Sequence, residues 1–227
     1  MVGTDTVAPS ESYFHFVTAT MGENEQFLRE HAKATFDEVV ELVIDAIDYV
    51  GFAVRKGPHY YVRYSMFFFL HHILMPFSYA IYVDILAGNI PVCFMQLRLM
   101  LESLAKCYLA DSEHPNSSFF QEKFELLESQ KKGIAKLLRE SGKRLGLNFV
   151  ALWGKLSHDW IHTKGIMDRV VNQTISKSGV PPWALLIPMN YTEDDLDSVD
   201  ELRRRICEFR SLLTATMGKY QQELGFL

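Results

Sequence analysis

SMFFFLHHILMPFSYAIYV, from Ser65 to Val83, holds nineteen residues without one Asp, Glu, Lys or Arg. Two folds produce such a stretch: a membrane-spanning helix, or the central helix of an all-α protein. Arg55, Lys56 and Arg63 before it and Asp84 after it suit a span. His71, His72, Ser65, Ser78 and Pro76 interrupt it, however, and no second segment is comparable. We therefore read it as a core helix, and a membrane is not an expected partner.

The chain around it repeats helical spacing. Leu28, Ala32, Val39, Val43, Ala46 and Val50 follow a 3–4 pattern from about Asn24 to Arg55, which Gly57-Pro58 ends. The core helix spans about 59–86 and is expected to kink at Pro76. Pro91 opens a third helix, about 91–110, on which Phe94, Leu97, Leu101, Leu104 and Tyr108 recur every three or four residues. A loop at 111–118 leads to a fourth helix over 119–140, basic in its second half, and a turn at 141–146. A fifth helix covers about 147–162. Thr192 caps a last helix that runs to about Leu224, acidic at its start and basic from Arg203 onward. Arg203-Arg204-Arg205 reads as its solvated face. Residues 1–11 are polar and aperiodic, and a short helix is expected over Tyr13–Met21. The expectation is an all-α, single-domain bundle of five to seven helices with a central apolar helix: a loose tail at 1–11 and one domain at 12–227.

Composition narrows function without naming it. Hydrophobic residues make up 48% and charged residues 22%, as in folded globular proteins. A formal charge of -5 argues against a broadly basic nucleic-acid surface but permits a local basic patch. The three cysteines are Cys93, Cys107 and Cys207. The first two lie on one helix about 21 Å apart, too far to bridge. An odd count and no visible secretory leader lead us to expect free thiols in the cytoplasm.

Two polar islands interrupt the apolar helices. Arg98 and Glu102 sit one turn apart on the third helix, where Arg98 is the only charge between Ile90 and Leu101. A buried Arg needs a partner, so an ion pair is expected, and either a structural or a site role follows. His158 and His162 sit one turn apart on the fifth helix, opposite its stripe of Phe149, Leu152, Trp153, Leu156 and Trp160. If the helices pack, Arg98, Glu102, His158 and His162 form a small site and are the candidate catalytic residues. The segment His158-Asp159-x-x-His162 also approaches the zinc-binding His-Glu-x-x-His helix, which makes a metal-dependent hydrolase an alternative, with His71 or His72 as a further ligand. A third reading is a scaffold in which both islands are structural. No phosphate loop or nucleophile elbow is present, and neither a cofactor nor a resident metal is expected.

Arg98-x-x-x-Glu102 followed by Leu156-Ser157 and a later His resembles the HEPN-like helical bundles over about residues 90–165. That resemblance implies binding of RNA or a nucleotide, with Arg98, Glu102 and His162 as the polar site and Ser157 orienting the later helix. The Arg-x-x-x-x-His run of the HEPN ribonucleases is absent, since Trp153 and Ser157 stand five before the two histidines. Several long amphipathic helices further point to a homodimer.

Overall fold

The computed structural model describes residues 9–158 and 189–223, and these are mostly helical, with no strand among them. We number the helices α1 (Pro9–His31), α2 (Lys33–Lys56), α3 (Pro58–Arg63), α4 (Ser65–Phe69), α5 (Met75–Leu86), α6 (Ile90–Glu113), α7 (Phe120–Ser129), α8 (Ile134–Leu145), α9 (Phe149–Leu156) and α10 (Leu196–Glu223). A π-helical turn, Leu70–Leu74, joins α4 to α5. The all-α bundle with a central apolar helix is what the periodicity implies. The α4–π–α5 unit lies at its centre against α2 and α6. α6 packs on α4, α5, α7, α8, α9 and α10, and α2 packs on α1, α5 and α10. Ser65–Leu86 is also long and apolar enough to cross a membrane, with a mean hydropathy of 1.5 in its most apolar window.

Several boundaries differ from the expectation, each for a local reason. The helix expected from Asn24 to Arg55 is divided at Ala32, whose φ of -139° and ψ of 38° are not helical. Its first part belongs to α1, which begins at Pro9, so the helix reaches into the expected tail and absorbs the one expected over Tyr13–Met21. The expected core helix is broken at Tyr64, which is extended. At Pro76 the chain widens where a kink is expected. Pro76 has no N–H to give, and the Met75 N–H reaches back to the Leu70 carbonyl, one residue further than in an α-helix. The fourth helix is divided into α7 and α8, with Lys131 at a φ of +50° between them. The turn expected at 141–146 instead forms the end of α8. Ser141 Oγ donates to the Ala105 carbonyl at 3.0 Å. Gly142 admits the Leu147 carbonyl to 2.4 Å from where a Cβ would stand, so only glycine fits. Thr192 does cap the last helix, through a reciprocal capping box with Asp195 ahead of α10. Most of the stretch 163–191 lies outside the described residues, but its end is held. Asn24 donates to the Leu86 and Met189 carbonyls at 2.8 Å and accepts from the Tyr191 N–H at 2.9 Å.

The interior carries one full charge pair. Asp111, near the end of α6, accepts from Lys123 Nζ of α7 at 2.9 Å and from Tyr220 Oη of α10 at 2.7 Å. It also accepts the Ser65 and Met66 N–H groups at 2.9 and 3.0 Å. It thus caps α4 from another helix, placing negative charge at the positive end of that helix. The Lys123 side chain is fully buried and Asp111 is 2% exposed. Lys123 Nζ also stands 4.8 Å from the Tyr64 ring centroid.

Two predictions follow from this core. Asp111→Ala leaves a buried ammonium unpaired and a helix uncapped, so it should cost about 3–5 kcal/mol in denaturant unfolding, with Asp111→Ala/Lys123→Met recovering part of the loss. The second concerns alkali. Burial, aided by Glu223, pushes the Tyr108 phenol from 10.0 up to about 12, and burial raises Tyr191 and Tyr220 as well. These phenols hold their protons more tightly when folded. Their contribution should be intact below pH 10 and lost as the pH rises toward 12, and Tyr108→Phe should reduce that loss in an alkaline melt.

Candidate functional site

α6 and α9 pack together, and the first polar island lies at their seam. Glu102 Oε1 accepts from Arg98 Nε at 2.8 Å and from Trp153 Nε1 of α9 at 2.7 Å. The Arg98 guanidinium carbon stands 5.2 Å from the Trp153 ring centroid. Arg98 and Glu102 are 23% and 22% exposed. The ion pair expected from the spacing is therefore present, and it meets the Trp153 indole of the fifth helix. Trp153 belongs to the apolar stripe of α9, and its N–H is a polar handle on that stripe that reaches α6. The three residues form a closed clamp in which one carboxylate oxygen serves two donors.

The second island lies on the next turn. Ser157 is buried and donates to the Trp153 carbonyl at 2.6 Å, within its own helix. His158 follows it and is exposed. Lys155, also exposed, reaches Glu208 of α10 at 2.9 Å. Asp159 and His162 lie outside the described residues. The structure thus joins Arg98 and Glu102 and places His158 beyond the clamp on a solvent-facing turn. His71 and His72 sit on the π turn, which packs on α2, α4, α5 and α6, whereas α9 packs on α6, α8 and α10. Among the described residues no three His, Cys, Asp or Glu side chains converge as metal ligands would. Burial raises the Cys93 and Cys107 thiols well above their ordinary value, so both are poor nucleophiles. The basic run on the last helix is paired: Arg203 with Asp200, Arg204 with Asp200 and Glu201, Arg205 with Glu201 and Glu208.

Two surfaces stand out beside the clamp. On α8, Lys136, Arg139 and Lys143 recur at helical spacing, all are exposed, and none has an acidic partner within 4 Å among the described residues. Lys132 and Arg144 flank them around a hollow of about 480 Å³ shared with Glu113 and Glu140. On the far side, Ile44 and Ile47 of α2, Tyr79 and Val83 of α5, and Met95 and Leu99 of α6 are each between 42% and 49% exposed. α5 packs against both α2 and α6, and each pair sits one turn apart on the exposed side of its own helix. Periodicity alone did not isolate this face, because each helix carries only two of its members.

Comparison of the chain with protein-family models, with curated proteins and with solved structures finds no match in any of the three.

The clamp makes a direct prediction. Glu102→Gln and Trp153→Phe should each lower stability by about 1–2 kcal/mol, and the double variant by less than the sum, because they share one oxygen. Additive losses in a thermal double-mutant cycle would show that the two bonds are independent.

Proposed function

We propose that this protein is a homodimeric helical module that binds RNA or a nucleotide without cleaving it. The observation that carries the reading is the basic face of α8. Lys136, Arg139 and Lys143 present three cations along one helix side without acidic partners, in a chain of net charge -5. Paired cations contribute little to phosphate binding, since an ion pair must first be broken. Unpaired ones gain the whole counterion-release term. The HEPN-like resemblance supplies the same ligand class. Absence of cleavage accords with the clamp, where Glu102 is held by two donors and Arg98 by its carboxylate.

The dimer is supported by the outer face of α2, α5 and α6. Monomers seldom leave a broad apolar patch in water. Two copies meeting about a two-fold axis would cover it with itself, as isologous interfaces do. The same face is also the lipid-facing reading of Ser65–Leu86, which the measurement below separates.

Binding of a short single-stranded RNA should be salt-dependent. The triple variant Lys136→Glu/Arg139→Glu/Lys143→Glu should lower the slope of log K against log salt by about 2. An unchanged slope would remove the α8 face from the reading. Sedimentation should show a dimer that Val83→Lys/Leu99→Lys converts to a folded monomer. A monomeric parent chain would end the dimer proposal, and extraction only with detergent would replace it with a membrane face.

A further inference from the structure

We propose that the groove at the π turn is a binding site for a small carboxylate carried on an apolar body, separate from the basic face of α8. The groove encloses about 480 Å³ between the end of α2, α3 and the π turn, within the range of small-molecule sites. Val54, Pro58 and Phe67 supply apolar walls. Tyr61, His71 and His72 supply the polar atoms. The Tyr61 hydroxyl and His72 Nε2 are hydrogen-bonded to each other, and the Tyr61 ring meets the edge of His71 at 5.5 Å between centroids. The Tyr61–His72 pair shares one proton between its two atoms, so it and His71 together gather a small set of donors against an otherwise apolar surface.

The π turn makes this convergence. It brings two consecutive residues, His71 and His72, to the lining of one groove. Burial, with His72 beside it, holds His71 below the usual imidazole range. It can therefore donate an N–H without carrying a buried charge. Such turns are rare and concentrate at functional sites.

Charge selects the ligand's sign. From Tyr49 to Val83 the chain holds Arg55, Lys56 and Arg63 and no Asp or Glu. No acid appears among the described lining residues. Arg55 and Arg63 are exposed at the ends of α2 and α3, on either side of the Gly57-Pro58 turn that borders the groove. An anion entering here meets two exposed guanidinium groups and no acid among the described lining residues. The few polar atoms suit one compact head. A nucleotide would leave its base edges and ribose unpaired against Val54, Pro58 and Phe67.

Calorimetric titration of the full chain with octanoate tests the assignment. Octanoate should bind saturably, and octanol at least about tenfold more weakly, because it lacks the charge. His72→Ala and Tyr61→Phe should each weaken octanoate about tenfold. Val54 is 63% exposed, so Val54→Trp should fill the groove without disturbing the fold, abolishing octanoate binding while melting temperature and RNA binding stay unchanged. Failure of octanoate to saturate overturns the proposal. So does octanol binding as tightly as octanoate, or octanoate binding that survives Val54→Trp. Adenosine monophosphate displacing octanoate at equal concentration would assign the groove to nucleotide instead.

Discussion

The carboxylate of Asp111 holds together parts of the chain that helix propensity alone would leave separate. Its four hydrogen bonds join α6 to the start of α4, to α7 and to α10. The central apolar helix therefore begins where it does because an acid from another helix receives its first N–H groups. Lys123 is drawn fully inside by the same group, over the face of Tyr64. Buried pairs of this kind contribute little net stability against an apolar replacement, yet removal of one member is severe. Their effect here is on arrangement: α7 and α10 are both fixed relative to α4 through one pair of oxygens.

Around that hub the remaining polar contacts stitch neighbours two at a time. Arg210 of α10 reaches Asp45 and Glu38 of α2 at 2.6 Å. Asn24 ties α1 to the end of α5 and to the chain at 189–191. Glu102 ties α6 to α9. Each lies at a helix seam, partly screened from water, where a hydrogen bond sets register as much as energy. The surfaces these seams do not use are the cationic side of α8, the exposed apolar residues of α2, α5 and α6, and the groove at the π turn.

What could be read from the sequence depended on whether its cause was local. The all-α class followed from 3–4 spacing and from one uncharged stretch, and the cap at Thr192 and the pairing of Arg98 with Glu102 are likewise local. The break at Tyr64 is not legible, because Asp111, which receives the N–H of the next residue, lies 46 residues beyond Ser65. Asp111 itself reads as the start of a loop until α6 is seen to run to Glu113. Ala32 interrupts a helix with no Gly or Pro to announce it. Trp153 reads as one more member of an apolar stripe, since its role requires knowing that α9 lies against α6. His158 is exposed on the face away from the stripe of its helix, and among the described residues the group of α9 that meets Glu102 and Arg98 is the Trp153 indole.

The π turn before Pro76 has a further consequence, one of phase. An extra residue in a helical turn advances everything beyond it by about 100° around the axis. Tyr79 and Val83 lie beyond it, and so do Ile81 and Ile85 on the buried side. With the extra residue, the second pair faces α6 and α2 and the first pair faces outward. Loss of a single residue from Leu70–Leu74 would turn α5 like a dial, carrying outward residues toward the core and core residues toward the surface. The outer apolar face is in that sense set by a length, and its composition could be kept intact while the face itself was lost.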